Sequence, residues 1–494
     1  MPTDMQLPSD PEAGKTAEDH GERNKLVIGL LLISTFVVIL NETLMIVALP
    51  HLMKDLGITA SAAQWLSTAF MLTMAVVIPI TGFLLQRLNT RPVFILAMSL
   101  FCSGTLISAL APGFVVLVIG RIVQASGTAI MMPLLMTTVM TLVAPQSRGK
   151  TMGDISIVIS VAPALGPTIS GLILSVLEWR WMFLLVLPIA LGALALGAVR
   201  IKNVSVPNKA PIDIPSVFLS AVGFGSFVYG LSGLGEMALH PPVISPWIPL
   251  LLGGAVIAIF ILRQRFLQTE NRALLDMRAL TYSRFTIAMV MMAILMMSMF
   301  GAFILLPIYL QNVLGLTTLQ TGLLLLPGGL IMGLCAPTVG RLFDKHGPVP
   351  LVIPGAILLS LALWGLTFIQ RDTSFWLLLA AHLTLSVGLA MMFTPLFTVS
   401  LGALPSNLYS HGSAMLGATQ QVAGAAGVAL FVAIMTLRSA GLAAGGADPH
   451  TVTTGGIKAA FLCGAIISLG AVVAAFFIKK PDAPAHAPGA AANT

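Results

Sequence analysis

The sequence predicts an all-α membrane protein with fourteen transmembrane helices. Three observations support this prediction: 57% of the 494 residues are hydrophobic, only 9% are charged, and the apolar residues form fourteen long segments. An ordinary soluble domain carries about 25% charged residues. The composition therefore excludes a soluble enzyme.

Each apolar segment has about the length that a helix needs to cross the hydrocarbon core, which takes roughly 20 residues at about 1.5 Å per residue. Polar connections separate the segments. In chain order, the predicted spans are 26–49, 62–86, 93–111, 114–142, 151–177, 181–199, 214–235, 247–266, 285–312, 319–342, 349–369, 375–399, 411–437 and 457–478.

The basic residues predict the orientation of these spans. With alternating loops, nineteen of the 25 Lys and Arg residues flank the side that holds both termini, and Arg121 lies inside a span. The five on the opposite side are Lys54, Arg180, Arg371, Arg438 and Lys458. Because cytoplasmic loops carry an excess of Lys and Arg, both termini are predicted to be cytoplasmic.

Other classes of site leave no signal in the sequence. Cys102, Cys335 and Cys463 lie in apolar segments without metal-ligand spacing, so no metal site is predicted. The net charge of +7 comes from scattered basic residues, which argues against nucleic-acid binding. Residues 144–151, APQSRGKT, end like a phosphate-binding loop but lack its first glycine and a preceding strand, so no nucleotide site is expected.

Two short basic turns indicate an internal repeat. GFLLQRLNTRP (Gly82 to Pro92) follows span 2, and GRLFDKHGP (Gly340 to Pro348) ends span 10. Six helices repeated around an extra pair, 214–235 and 247–266, account for this spacing. Such repeats are typical of secondary transporters with a substrate site between the halves. A chance match of two turns is the alternative.

Six further segments carry a family resemblance. They are LNETLMIVALP (Leu40 to Pro50), RIVQASGTA (Arg121 to Ala129), APALGPTISG (Ala162 to Gly171), WRWMF (Trp179 to Phe183), PIYLQNVLG (Pro307 to Gly315) and HGSAMLGATQQVAGAAG (His411 to Gly427). With the two turns, they resemble the major facilitator superfamily, specifically its fourteen-span drug:proton antiporter family and the branch of lincomycin-resistance-type multidrug exporters. Each segment is a weak signal alone, but six in order are specific.

The resemblance implies the major facilitator fold, with two six-helix bundles and two extra central helices. The predicted divisions are a disordered cytoplasmic tail at 1–24, an N-terminal bundle at 25–200, a linker with the extra helices at 201–283, a C-terminal bundle at 284–480 and a cytoplasmic tail at 481–494. Spans 1, 4, 9 and 12 would line a central cavity.

The two turns are implied to form a motif at the cytoplasmic face. Its candidate residues are Gly82, Arg87 and Arg91 in the first half and Gly340, Asp344 and Gly347 in the second. The family has an acid where Gln86 stands, so the first half lacks the charge that Asp344 supplies in the second.

Glu42 is the candidate proton carrier. A charged residue at a helix centre costs roughly 2.5–3.5 kcal/mol on insertion scales, so a carboxylate there usually has a function. The family has Asp where Asn41 stands, and Glu42 is about 100° further round the helix. Ser34, Asn41, Glu42 and Met45 share one stripe, which is predicted to face water or protein rather than lipid. A structural carboxylate, fixed against a neighbouring helix, is the alternative.

Arg121 and His382 complete the predicted proton-coupling set. With Glu42, each lies seven residues from the outer end of its span, about 10 Å deep. Arg121 keeps its charge at any relevant pH, so it suits tuning of Glu42, with structural pinning as the alternative. His382 titrates near neutral pH, although a lone histidine in a span also fits hydrogen-bonded packing.

Candidate substrate contacts are assigned to the same cavity. They are Asn41, Met45, Gln124, Met292, Met296 and Gln421. Flexible methionines can repack around differently shaped ligands, but Met is also an ordinary gap filler in helix bundles. Gln420 and Gln421 are adjacent and cannot both face one way, and Gln421 is the one assigned to substrate.

Gly166, Pro167 and Gly171 form the candidate antiporter motif in span 5. Proline removes a backbone donor, and glycine lets another helix approach closely. The resemblance implies a kink that prevents leakage between the two sides of the membrane. A generic kink is the alternative.

Together, these features predict a proton-coupled antiporter that exports small hydrophobic or cationic drugs across the bacterial cytoplasmic membrane. We expect a monomer in contact with lipid and protons, with the proton gradient in place of a cofactor. The alternative is a proton-coupled uptake symporter for a specific nutrient, which the span 5 motif disfavours. A membrane sensor or enzyme is a third class, without a soluble domain or catalytic constellation to support it.

The charge asymmetry gives a direct test of topology. Reporter fusions placed after Lys209 and after Lys480 should both report a cytoplasmic location. A report from the other side at either position would show that one helix has been miscounted.

Overall fold

The computed structural model describes residues 11–58, 60–201, 203, 213–237, 244–270, 272–370 and 372–478. Over these ranges the chain contains no β-strand, and fourteen helices are long and apolar enough to cross a membrane. The predicted all-α fold with fourteen spans is confirmed. The predicted tail at 481–494 lies outside the described ranges.

The fourteen helices follow the predicted spans in order. Their bounds are α1 Pro11–Leu56, α2 Ala60–Arg87, α3 Thr90–Ala109, α4 Phe114–Leu142, α5 Arg148–Val176, α6 Trp181–Arg200, α7 Ile214–Met237, α8 Trp247–Leu267, α9 Ser283–Asn312, α10 Thr318–His346, α11 Val349–Leu366, α12 Phe375–Gly402, α13 Tyr409–Ala444 and α14 Pro449–Ala475.

Helix α1 is longer at both ends than the predicted first span. It begins at Pro11, so residues 11–24 of the predicted disordered tail are helical, and residues 1–10 lie outside the described ranges. This polar stretch contains Glu, Ala, Lys and Arg, which are good helix formers. At its other end α1 runs to Leu56 and stops at Gly57, whose φ of 60° suits glycine. Because α1 extends beyond the apolar segment, the depth of Glu42 in the membrane cannot be counted from the end of the helix.

The chain forms two groups of six helices, joined in the sequence by the hairpin of α7 and α8. Helices α1–α6 pack among themselves, as do α9–α14. The groups meet mainly through α5 with α10 and through α2 with α13, whereas α1 and α9 make their extensive contacts within their own group. Single 3-10 turns, Pro145–Ser147 and Ser406–Leu408, precede the equivalent helices α5 and α13. The repeated turn supports an internal repeat.

The hairpin of α7 and α8 lies beside one of these two contacts. Helix α7 packs against both α2 and α13, where Phe224 contacts the cluster of Ile78 and Ala418. The Tyr229 ring stacks on Trp65 of α2, with 5.9 Å between ring centroids. One helix outside the repeat thus touches both groups.

A charged contact ties the base of this hairpin. Asp213, just before α7, accepts two hydrogen bonds of 2.8 Å from Arg263 near the end of α8. The Arg263 guanidinium, with smaller help from Ser216, holds the pKa of Asp213 at about 2, against the opposing effect of desolvation. The carboxylate is therefore charged at any physiological pH.

The two sides of the helix array differ in composition. The side with the connections after α2, α4, α6, α8, α10 and α12 is termed the basic side, because it carries most of the Lys and Arg. On the opposite side, Trp65, Trp181, Trp247 and Trp376 lie near the starts of their helices and are 42–74% exposed. Tryptophan is enriched where a membrane meets water, so these residues mark the second interface.

Within the described ranges, six hydrogen bonds between the two groups lie in the half of the molecule next to the basic side. The pairs are Gln86 with Asn407, Gly149 with Asp344, Lys150 with Asp344, Arg148 with Tyr409, Ser156 with Thr394, and Ser413 with Pro133. The structure is therefore a conformation in which the groups are bonded together on the basic side.

Candidate transport site

Glu42 lies on the stripe of α1 that the sequence predicts to face protein. Its side chain is partly buried, and Asn41 and Met45 on the same stripe are each 2% exposed. Ser34, two turns away, is fully buried. The stripe thus packs inside the first group and does not face lipid.

Arg121 of α4 is buried within the same group, with only 1% of its surface exposed. Its Nη1 donates a hydrogen bond of 2.6 Å to Gln124 Oε1. Its guanidinium carbon lies 4.1 Å from the centre of the Phe70 ring on α2, in a cation–π contact. Because removing a charge from water costs several kcal/mol, these contacts are what allow Arg121 to remain buried.

Gln124, which the sequence predicts as a substrate contact, is bonded to Arg121 in this conformation. Its Nε2 donates a hydrogen bond of 2.7 Å to Thr105 Oγ1 on α3, and that hydroxyl donates one of 2.7 Å to the Phe101 carbonyl. The Gln124 side chain is fully buried. Both ends of its amide are occupied, so the chain of bonds ties Arg121 to the backbone of α3.

Glu42 and Arg121 attract each other electrostatically between α1 and α4. In the described structure they form no direct salt bridge. A carboxylate that feels a nearby cation without being locked to it can exchange a proton without first breaking an ion pair. The structure therefore brings together two of the three residues predicted to couple protons.

His382 is not part of this pair. It is 2% exposed on α12, and its Nε2 lies 3.1 Å from the Leu325 carbonyl of α10. A side chain added at Gly328 would overlap the imidazole, so the ring fills the space beside this glycine. Its Nδ1 is buried without a hydrogen-bond partner in the described structure, so α10 satisfies one of the two ring nitrogens, and the proton-coupling role of His382 stays a prediction.

Asn41 offers unused hydrogen bonds next to Glu42. Its amide is 2% exposed, and neither Nδ2 nor Oδ1 has a hydrogen-bond partner in the described structure. Leaving a buried polar group unbonded costs about 1–3 kcal/mol, so such a group calls for a reason. Contact with a transported molecule provides one, which keeps Asn41 as a candidate substrate residue.

The predicted methionine contacts are buried in this conformation. Met45, Met292 and Met296 are at most 2% exposed, so none of them lines an open cavity here. Met292 and Met296 are four residues apart and share the face of α9 that packs into the core. Gln421 remains partly exposed on α13, whereas Gln420 donates to the Leu416 carbonyl of its own helix. Gln421 therefore stays the better substrate candidate.

The span 5 motif fixes the segment of α1 that carries Glu42. A side chain added at Gly166 would overlap Thr43 Oγ1, the residue after Glu42. One turn further along α5, Ser170 Oγ donates a hydrogen bond of 2.9 Å to the Leu44 carbonyl. The motif thus contacts the residues of α1 that directly follow Glu42.

The rest of the span 5 motif lies on a continuous helix. Helix α5 runs from Arg148 to Val176 through Pro167, and the kink implied by the resemblance stays a prediction. Gly171 is exposed, and no heavy atom lies within 4 Å of the position that its Cβ would occupy. Gly171 therefore makes no close helix contact in this conformation.

The second-half turn forms a contact between the two groups through Asp344. Its carboxylate accepts hydrogen bonds of 2.7 and 2.8 Å from the backbone N–H groups of Gly149 and Lys150, at the start of α5. Helix N-termini attract negative charge, so Asp344 caps a helix of the other group. A side chain at Gly340 would overlap the Gly149 carbonyl, and Gly347 ends α10 with φ of 80°.

The first-half turn makes the equivalent contact with different chemistry. Gln86 Nε2 donates a hydrogen bond of 2.9 Å to the Asn407 carbonyl, just before α13. Gly82 allows the close approach of α13, since its Cβ would lie 3.2 Å from that of Ala414. Arg87 and Arg91 are exposed, and the Arg91 backbone N–H donates to Asn203. The first-half turn thus contacts the other group through a hydrogen bond between two uncharged groups.

Several residues of the site could not be found from motifs. Phe70 and Thr105 lie outside every matching segment, yet they hold Arg121 and Gln124 in place. The WRWMF segment also gains a role: Trp179 Nε1 donates a 2.6 Å hydrogen bond to Asp55, and Arg180 lies 3.6 Å from the same carboxylate. This cluster fastens the end of α1 on the opposite side.

The profile of the Major Facilitator Superfamily matches residues 31–428. The chain belongs to this superfamily. It is therefore a multi-pass membrane transporter and not an enzyme, and the resemblance predicted from the motifs is confirmed.

The chain is also similar to individual bacterial proteins and to a solved transporter structure. The chain is similar to the lincomycin resistance protein LmrB of Listeria monocytogenes, with 39% identity over 459 residues, 92% of this chain and 96% of the relative. It is 29% identical to the multidrug resistance protein B homolog of Mycobacterium tuberculosis over 88% of this chain and 81% of the relative. The human organic anion transporter MFSD10 shares the fold, with a TM-score of 0.67, 15% identity and coverage of 92% and 99%.

The contact between Gly166 and Thr43 can be tested by size. We expect Gly166→Leu to lower transport by about tenfold or more while membrane abundance stays near normal, because overpacking costs about 1–3 kcal/mol. Thr43→Ala should partly restore transport to Gly166→Ala, since it removes the overlapping hydroxyl. Gly171→Ala is the matched control and should transport normally. Full transport by Gly166→Leu would reduce the motif to an incidental feature.

The two turns should differ in strength. Asp344→Asn loses one of two charge-assisted bonds, worth about 1.5–3 kcal/mol, whereas Gln86→Ala loses a neutral bond worth about 0.5–1.5 kcal/mol. Asp344→Asn should therefore open the basic side more. Maleimide labelling of Ser160→Cys, a buried position beside Gly333 of α10, measures this opening in a background without native cysteines. Equal, negligible labelling in both variants would show that neither turn acts as a latch.

Proposed function

We propose that this transporter exports small hydrophobic drugs from the bacterial cytoplasm in exchange for protons, with both termini cytoplasmic. The observation that carries the proposal is the partly buried Glu42 beside the buried Arg121. A carboxylate inside a membrane span is expensive, and such residues mark proton and substrate pathways. The proton gradient supplies the energy, so no bound cofactor is required.

Glu42 carries the proton in this mechanism. It takes up a proton when the site faces outward, where drug is released, and loses the proton when the site faces the cytoplasm. Arg121 stabilises the charged form by attraction, while the chain through Gln124 and Thr105 prevents the guanidinium from following the carboxylate. Drug and proton then compete for one site, which is the requirement for exchange.

The conformation of the chain fits one step of this cycle. With the basic side assigned to the cytoplasm, the six hydrogen bonds between the groups close the cytoplasmic end, as in an outward-facing state. The inward-facing state must break these bonds, including those of Asp344. The two groups rock about the site, as inverted repeats allow.

The relatives support drugs as the substrate class. LmrB is named for lincomycin resistance and the mycobacterial relative for multidrug resistance, and both come from bacteria. The placement in the cytoplasmic membrane, and the orientation, follow from the apolar spans and the basic loops. Protons, drug and lipid are then the only partners that the mechanism requires, and one chain holds every residue assigned to it.

Charge counting at Glu42 gives the deciding experiment. One proton entering for one neutral drug leaving moves one positive charge inward, and a membrane potential adds about 2.3 kcal/mol per charge per 100 mV. In proteoliposomes, export of a neutral drug should therefore respond both to the pH gradient and to a valinomycin-clamped potential. Glu42→Gln should abolish both responses and leave at most downhill exchange.

Glu178→Gln is the matched control, since Glu178 is an exposed carboxylate between α5 and α6. It should behave as the wild type. Proton-driven export that survives in Glu42→Gln would reject the single-carboxylate mechanism. Accumulation of drug in right-side-out vesicles, with none in inside-out vesicles, would instead indicate uptake by symport.

A further inference from the structure

The charged groups in the described spans define what the proposed site can attract. The carboxylates there are Glu42, Asp154, Glu270 and Asp344, and the last three lie within two turns of the helix ends on the basic side. At the depth of the site, Glu42 is therefore balanced by Arg121. The pair carries no net charge when Glu42 is ionised and one positive charge when Glu42 is protonated. Neither state is net negative.

The aromatic ring beside the pair is also occupied. A cation without a carboxylate partner can be recognised by the face of an aromatic ring. The Phe70 ring, 2% exposed, already has the guanidinium of Arg121 4.1 Å from its centre. Arg121 thus already interacts with the two groups that would recognise a cationic ligand, the carboxylate of Glu42 and the face of the Phe70 ring.

A neutral polar ligand finds the opposite situation. Asn41 directly precedes Glu42 on α1 and has an unbonded donor, Nδ2, and an unbonded acceptor, Oδ1, in the described structure. An amide of this kind bonds to a carbonyl, a hydroxyl or an unprotonated amine without needing charge. The ligand would gain hydrogen bonds there without losing the hydration energy of an ion.

We propose that Arg121 makes this site select neutral substrates over permanent cations. The substrate is a lipophilic molecule with a neutral polar group, and a drug with a tertiary amine binds in its unprotonated form. This inference rests on the proposed function and narrows its substrate class, which the sequence left open between hydrophobic and cationic drugs. A permanent cation would lose its hydration without a net negative partner to replace it.

A matched pair of probes separates charge from shape. Lincomycin carries a tertiary amine, and methylation of that nitrogen gives a quaternary salt of almost the same shape that cannot become neutral. Binding of both is measured on the purified full-length protein above the pKa of the drug amine, and transport is measured in proteoliposomes with an imposed pH gradient. The wild type should bind the tertiary form at least about tenfold more tightly, about 1.4 kcal/mol.

Variants of Arg121 test the cause. Arg121→Gln leaves Glu42 without its cation and frees the Phe70 ring, so binding of the quaternary salt should tighten by about tenfold or more while binding of the tertiary form changes little. Adding Glu42→Gln should cancel that gain. Arg121→Lys keeps the charge and should keep the wild-type preference. Folding of each variant is checked by size exclusion and thermal unfolding.

Arg180→Gln is the control with matched chemistry. Arg180 also lies over an aromatic ring, 4.3 Å from the centre of Trp179, and pairs with a carboxylate, but on the opposite-side surface. It should leave the preference unchanged. Equal binding of the two probes by the wild type, or equal effects of Arg121→Gln and Arg180→Gln, would overturn the inference.

Transport separates this result from the proposed function. Selective binding of the tertiary probe without proton-driven transport would reject proton-coupled export and still support the charge preference. Proton-driven transport of both probes at similar rates would support export and overturn the preference. Absence of binding of either probe to the wild type would overturn both.

Discussion

The site depends on one constraint, which is that a guanidinium ion must be kept inside an apolar helix bundle. Arg121 cannot lose its charge, so every neighbouring group has to satisfy it. Gln124, Thr105 and the Phe101 carbonyl form a line of acceptors and donors, and Phe70 covers one face, while Arg121 Nε has no hydrogen-bond partner in the described structure. Glu42 forms no salt bridge with Arg121 in the described structure. In the proposed mechanism, the carboxylate can therefore gain or lose a proton while the other bonds of Arg121 stay in place.

The two halves use one geometry with different chemistry. In the second half a carboxylate, Asp344, accepts from two backbone N–H groups of α5. In the first half an amide, Gln86, donates to the backbone carbonyl of Asn407. An acid at that position would have to turn to N–H groups instead. The charge-assisted contact between α5 and α10 is therefore the stronger of the two, while α7 packs against both helices of the α2–α13 contact.

Hydropathy and charge predict the fourteen helices because the bilayer imposes length and sidedness on each of them. They do not predict where α1 ends, since its polar flanks are good helix formers and Gly57 lies well beyond the apolar run. Residue type singled out Glu42 and Arg121, and their part in proton coupling stays a prediction. The sequence could not show that Gln124 bonds to Arg121, or that Met45, Met292 and Met296 are buried in this conformation, because spacing along one helix does not show which neighbour covers a side chain. Phe70 and Ser170 were missed for the same reason.

The pairing of α5 with α10 has a mechanical consequence. The helices are antiparallel. Gly149 contacts Gly340, and Gly153, four residues later on α5, contacts Ala336, four residues earlier on α10. If the same register continues eighteen residues beyond Gly153, Gly171 lies within about one helical turn of the level of Gly322. At both glycines, no heavy atom lies within 4 Å of the position that a Cβ would occupy. Space therefore remains beside both glycines at the end of the helix pair opposite Asp344. A methyl group fits into this space, whereas a larger side chain at either position would limit how closely α5 and α10 can approach at this end.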